Sequence, residues 1–170
     1  MGKDGMQTSC VKQRWTVADR KHTGLKALQG LIWAEGYADG SLVSHLYPDV
    51  APRLRAWKAL GLRLAVYSSG SAQAQRLFFA HTPAGDLTPL FEAYFDTTIG
   101  HKREPEAYHR IAGSLALPPG ALLFLSDVAE ELDAAKAAGW NTLQLVRPGT
   151  EATDRHPTAP DFEGVALTGW

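Results

Sequence analysis

Cysteine is nearly absent: Cys10 is the only one among 170 residues. It can close no internal disulfide, which fits a reducing compartment. Its setting in the polar stretch MGKDGMQTSC offers no organised base, so it is also a poor nucleophile. Charge of one sign is lacking too. Seventeen basic and 18 acidic residues leave a net charge of −1, and no overall field recommends nucleic acid or an anionic membrane as partner. No apolar run approaches the ~18 residues of a membrane span, and the first residues carry no signal-peptide core. Internal repeats and low-complexity tracts are missing as well. The expectation is a soluble, cytoplasmic, monomeric protein that deals with small molecules, large enough to bury ~70% of its unfolded surface.

What is present is organised around Leu62–Ser71, LRLAVYSSGS. A mostly apolar segment of strand length follows Gly61 and runs into two hydroxyls and a glycine, and such a continuous run suits a strand covered on both faces of a parallel sheet. Ser71 is placed to cap a helix over 72–80. A strand that passes through Ser68-Ser69-Gly70 into a helix gathers hydroxyls and free backbone N–H groups at a carboxyl-end strand edge. That chemistry favours an anion, most naturally a phosphate.

Before this stretch, Val50, Leu54, Trp57 and Leu60 predict an amphipathic helix over 49–60, with Pro52 in its first turn. Still earlier, Leu25, Leu28, Leu31 and Ile32 recur at helical spacing, and residues 1–10 read as a leader. After it come a loop over 82–91, a strand around 93–99, and GHKREP, in which Pro105 opens a helix running to about Leu117. A strand over 121–125 ends in Ser126-Asp127, a helix over 129–138 stops at Gly139, and 142–146 is the last strand. From Pro148 onward the chain reads as a surface tail. This alternation predicts βαβ units and a parallel α/β sheet with helices on both faces.

Three polar sites then fall near strand ends: Ser68-Ser69-Gly70, Lys102 and Asp127. Hydroxyls and amides can hold phosphate oxygens, a lysine can neutralise their charge, and an aspartate can hold Mg²⁺, which takes few protein carboxylates.

The order SSG, lysine, then Asp after an apolar strand resembles motifs two to four of the haloacid-dehalogenase-like phosphohydrolases. Longer strings, LQGLIWAEGY, HLYPDV, LAVYSSGSAQAQ, GDLTPLFEAYFDTTIGHKREP and LLFLSDVAEELDAAKAAG, are similar to the enolase-phosphatases of methionine salvage, the acireductone synthases. The likeness runs from about Ala18 to Gly149. It implies a Mg²⁺-dependent phosphoric monoester hydrolase in L-methionine biosynthesis. Such an enzyme enolises 2,3-diketo-5-methylthiopentyl-1-phosphate and removes its phosphate to give the acireductone. Carried over by motif, Ser68 and Ser69 bind the substrate phosphate, Lys102 balances its charge, Asp127 is a magnesium ligand, and Glu131 orients that site. The same likeness implies a division into a leader (1–17), part of a helical cap that shields the site from water (18–47), an α/β phosphatase core (48–150) and a C-terminal tail (151–170).

One departure stands out. The family's first motif is a strand ending in Asp-x-Glu-Gly-Thr, whose first Asp is the nucleophile, and these 170 residues contain no such string. Asp4, Asp19 and Asp96 are poor substitutes: the first two have no strand to present them, and Asp96 follows a strand that is not catalytic in the family. No catalytic residue is therefore assigned. The resemblance further implies that this first strand lies centrally, between the SSG strand and the Asp127 strand, so its absence would leave backbone groups on both unpaired. The expectations are an N-terminally incomplete chain or, alternatively, a catalytically inactive phosphate- or metabolite-binding protein of the same fold. A further possibility is a subunit completed by a strand from another chain.

Overall fold

The computed structural model describes residues 36–37 and 42–167. The chain divides into two compact units, Met1–Val43 and Ser44–Trp170. The predicted leader, nearly all of the predicted cap, Cys10, Asp4 and Asp19 lie outside the described residues.

The second unit begins with helix α1, Val50–Ala59. Its face is set by sequence spacing: Val50, Leu54 and Trp57 are 7, 6 and 4% exposed, and each is worth roughly 1.5–3 kcal/mol when removed from water. The helix closes with a Schellman arrangement. Gly61 takes a φ of +83°, its N–H donates to the Lys58 carbonyl, and the Leu62 N–H donates to the Trp57 carbonyl. A residue with a Cβ would be strained in that left-handed position.

Strand β1, Leu64–Tyr67, leads to helix α2, Ala72–Ala80, where the Ser71 side chain caps the Ala74 N–H as the sequence predicts. A 3-10 turn at Thr88–Leu90 precedes β2, Phe91–Phe95. Helix α3, Pro105–Leu115, starts on its proline. Another 3-10 turn at Pro119–Ala121 gives way to β3, Leu123–Ser126, then α4, Ala129–Ala137, and β4, Asn141–Leu145. Strand β5 is Thr158–Ala159.

All pairings between the described strands are parallel. β1 pairs with β2, while β4 lies between β3 and β5, giving a two-stranded and a three-stranded sheet. Among the described residues β1 and β3 exchange no ladder hydrogen bonds, yet both belong to the same layer. On one face Tyr67 and Phe124 pack on a cluster formed by Ala107, Tyr108 and Ile111 of α3 and Ala134 and Ala135 of α4. On the other, Leu64, Leu123 and Leu125 pack on Leu54 and Trp57 of α1 with Leu143 and Leu145 of β4. Two parallel edges thus share both cores without sharing a ladder.

Two expectations are corrected. The sequence predicts β1 and β3 as strands buried on both faces, but every residue of β1 is half-buried or exposed, Ala65 included, and only Ser126 of β3 is buried. In β4, by contrast, four of the five residues are buried. The apolar run records where a residue packs above and below the sheet, and coverage is completed by a lateral neighbour. Nor is the C-terminal stretch a surface tail. β5 extends the sheet, and His156, Ala159 and Val165 are 5, 2 and 0% exposed. Proline- and threonine-rich composition signals missing periodicity, not missing burial.

Candidate active site

Ser68 and Asp127 directly follow β1 and β3, where open α/β folds place their ligand crevice, and Lys102 lies in the loop beyond β2. The Ser68-Ser69-Gly70 turn leaves β1 as predicted. The Ser68 N–H donates to the Phe95 carbonyl at 3.1 Å, and the Ser68 Oγ accepts from the Gly70 N–H at 3.3 Å. Gln75, 6% exposed, locks the turn to β2 by donating to the Gly70 and Phe95 carbonyls, both at 2.8 Å. Ser69 is exposed at its apex.

Asp96 shows why it is no substitute nucleophile. Its carboxylate accepts from the Ala72 N–H at 2.9 Å and from the Thr98 N–H at 2.8 Å. It caps α2 and fastens the end of β2. The positive end of the α2 dipole therefore already faces a carboxylate, so an incoming anion has to use the 68–71 turn and its hydroxyls instead of the helix terminus alone.

Lys102 does not stand at a strand end, as the predicted strand over 93–99 implied. β2 stops at Phe95, and Asp96–Ile99 is a turn closed by the Ile99 N–H and the Asp96 carbonyl. Lys102 comes back to the sheet from the loop beyond it. Gly100 makes that return possible: at φ +149°, a Cβ built on it would lie 2.7 Å from the Ala107 Cβ. The Lys102 ammonium then lies 5.8 Å from the centres of both the Tyr67 and Phe124 rings, one from β1 and one from β3. It ion-pairs with Glu131, the side chains being 16 and 13% exposed. One carboxylate engages one of three ammonium donors, leaving capacity for a ligand oxygen.

Glu131 is held in turn. Ser126, 8% exposed, donates from its Oγ to the Glu131 Oε2 at 3.0 Å and accepts from the Val128 N–H at 3.1 Å. Asp127 is exposed. Its carboxylate has no hydrogen bond or ion pair among the described residues, while its carbonyl accepts from the Gln144 side chain at 3.4 Å. Gln144, 1% exposed, also binds the Glu151 carbonyl and both the N–H and hydroxyl of Thr153, which fastens the turn after β3 to the segment after β4.

The fold thus joins Lys102, Glu131 and Ser126 directly, with Asp127 next in chain. Ser68 is linked to them through its neighbour Tyr67, and neither Ser68 nor Ser69 bonds to Lys102. Tyr67 and Tyr108 line the floor. Burial pushes the Tyr67 hydroxyl up to about 12, aided by the charges of Glu131, Glu104 and Asp96. Tyr108 is pushed up further, again by burial first and then by Glu131 and Tyr67. Both stay protonated donors at neutral pH. Sequence reasoning missed Ser126, Gln144 and both tyrosines. Ser126 was visible as a polar residue closing an apolar strand, whereas a tyrosine at helical spacing reads as core.

A magnesium site can be tested against the donors. Among the described residues no three His, Cys, Asp or Glu side chains cluster as a metal centre. Asp127, an unengaged hard oxygen donor, fits an ion that takes one or two carboxylates and otherwise uses water and ligand phosphate.

The parallel strands, with Ser68 after β1, Lys102 in the loop beyond β2 and Asp127 after β3, define a class. The chain belongs to the haloacid dehalogenase-like hydrolase family, whose model matches residues 11–139. Within it, the chain is similar to curated enolase-phosphatases. The chain is 58% identical over 154 residues to enolase-phosphatase E1 of Sorangium cellulosum, covering 89% of this chain and 66% of that protein. It is 56% identical to the enolase-phosphatase E1 of Pseudomonas aeruginosa over 91% of this chain and 68% of the relative. The chain thus spans about two thirds of the length of these curated relatives. Among solved structures, the UTR4 protein of Saccharomyces cerevisiae superposes with a TM-score of 0.86 at 31% identity, over 96% of this chain and 77% of that one. CbbY from Rhodobacter sphaeroides, crystallised in complex with phosphate, shares the fold with a TM-score of 0.66 at 21% identity, over 82% of this chain and 63% of that one. Among the described residues no helix is long and apolar enough to cross a membrane.

Proposed function

We propose that this chain carries the phosphate-handling site of an acireductone synthase, which enolises 2,3-diketo-5-methylthiopentyl-1-phosphate and hydrolyses its phosphate ester in methionine salvage. In this reading water supplies the hydroxyl and proton, and inorganic phosphate leaves. Ser68 and Ser69 bind phosphate oxygens, Lys102 balances their charge, and the protein works as a cytoplasmic monomer without a nucleic-acid or membrane partner.

The observation that carries the reading is the ion pair between Lys102 and Glu131 beside an unengaged Asp127. Among the described residues Lys102 is already paired with Glu131 and Asp127 adds negative charge, so Lys102 balances only part of the charge of a phosphate monoester. A divalent cation, which Asp127 would hold, would supply the remaining compensation.

A second reading, a phosphate- or metabolite-binding protein without turnover, is favoured by a specific observation. Of the carboxylates described near the site, Asp96 is engaged by backbone amides and Glu131 by Lys102 and Ser126. Asp127 is the ligand candidate, so none is left to attack phosphorus. Incubation with the diketone phosphate and Mg²⁺, followed by inorganic phosphate release and acireductone absorbance, separates the two. Turnover abolished by Lys102→Ala supports the synthase. Saturable binding without release supports the binder, and neither binding nor release rejects both.

A further inference from the structure

Beneath the Lys102–Glu131 pair lies the buried hydroxyl of Tyr108. Tyr108 of α3 is 0% exposed. Its Oη is 2.7 Å from the Lys102 carbonyl oxygen and 3.0 Å from the Glu131 carbonyl oxygen. A phenol has a single proton, so the two carbonyls share one donor, as a three-centre bond or by alternation. The two residues that pair through their side chains are therefore also tied through their backbones, by a third residue bonded to both carbonyls.

The neighbouring tyrosine completes the device. The Tyr67 hydroxyl donates to the Gly100 carbonyl at 2.9 Å, so alternate carbonyls of the 100–102 loop are held from two different elements, β1 and α3. The rings of Tyr67 and Tyr108 meet edge to face at 5.6 Å. Tyr108 also packs against Phe124 at 5.2 Å and Trp140 at 5.4 Å. Phe124 and Tyr67 are the rings flanking the ammonium. Burial keeps both hydroxyls protonated, so the tether persists across neutral pH.

We propose that Tyr108 is a positioning residue: its hydroxyl fixes the backbone spacing of Lys102 and Glu131, and so sets how the lysine ammonium is shared between Glu131 and an incoming oxyanion. The role as oxyanion partner rests on the function proposed above, whereas the positioning itself does not. A long lysine on an untethered loop would sample many rotamers, and holding it costs entropy that a preorganised loop has already met.

The test reads Lys102 directly in the full chain. Each lysine is acylated with a water-soluble acetyl ester at pH 8, and rates are followed by mass spectrometry. Tyr108→Phe removes one oxygen and keeps the ring. It is expected to raise the Lys102 rate at least threefold and leave the other lysines within a factor of two. Trp140→Phe disturbs the same aromatic cluster without touching either carbonyl, and is expected to lower stability with Lys102 unchanged. Equal Lys102 rates in wild type and Tyr108→Phe would overturn the proposal. So would a matching rise in Trp140→Phe, which would assign the effect to packing. Titration with inorganic phosphate and Mg²⁺ gives the separate readout. Tyr108→Phe should weaken binding at least threefold. If wild type binds no phosphate while Lys102 still responds to Tyr108→Phe, the positioning stands and the phosphate reading falls.

Discussion

The Lys102 ammonium and the Glu131 carboxylate reach one another from the loop after β2 and the first turn of α4, and close an ion pair with both side chains largely shielded from water. The partners come from elements that flank two different sheets. The pair therefore stitches the β1–β2 half of the layer to the β3–β4–β5 half where no ladder does so among the described residues.

Removing one member should expose that role. Glu131→Ala leaves Lys102 partly buried and uncompensated and frees the Ser126 hydroxyl, for an expected loss of about 1–3 kcal/mol. Urea denaturation at pH 7 measures it. A change within about 0.5 kcal/mol, the range of ordinary surface substitutions, would show that the pair does not stitch the halves together.

Gly100→Ala tests the loop that carries Lys102. The new methyl would meet Ala107 at less than contact distance, in a backbone region that L residues rarely adopt. A loss of about 1–3 kcal/mol is expected, together with weaker phosphate binding because the Tyr67–Gly100 bond is disturbed. Wild-type stability and affinity in this variant would refute the placement of the loop.

Acid sensitivity should trace partly to Asp49. Burial raises its carboxyl, but the Arg147 guanidinium, the Phe162 N–H and its own backbone outweigh that and hold it below the usual carboxylate value of 3.8. Arg147 donates to it at 3.0 Å and the Phe162 N–H at 2.8 Å. A depressed folded-state value means stabilisation present above the unfolded value, near 3.8, and lost as pH falls toward the folded one. Asp49→Asn should therefore be less stable than wild type at pH 7, and the gap should narrow below pH 4. A gap that is constant from pH 7 to pH 2.5 would contradict the assignment.

His156 anchors the C-terminal stretch. Its ring nitrogens lie 2.9 Å from the Thr142 hydroxyl and 3.0 Å from the Asp133 carboxylate. Arg155 pairs with the same Asp133. His156→Ala should cost about 2–4 kcal/mol through a cavity and an unpartnered buried hydroxyl, read by chemical denaturation. A loss near zero would return this segment to the status of a surface tail.

Much of the fold was legible because local signals agreed with it. Val50, Leu54 and Trp57 declared a helix face, Ser71 a cap, Pro105 a helix start, and Ser68 and Asp127 the groups that follow two strands. The rest depended on contacts that have no local signature. Ala65 looks like core until the coverage of β1 is seen. Thr158–Ala159 is too short to read as a strand without β4 beside it. Tyr108 and Gln144 look like packing or surface residues, because their hydrogen-bond partners lie in segments distant in sequence.

The central claim is that the turn after β1, Lys102 and Asp127 bind one phosphate together with a divalent cation. Calorimetric titration of inorganic phosphate in Mg²⁺ against wild type, Ser69→Ala, Lys102→Ala and Asp127→Asn tests it most directly. The account predicts saturable Mg²⁺-dependent binding, weakened at least tenfold by Lys102→Ala and clearly reduced by the other two. Wild-type affinity in a folded Lys102→Ala variant, or binding indifferent to Mg²⁺ and to Asp127→Asn, would contradict it.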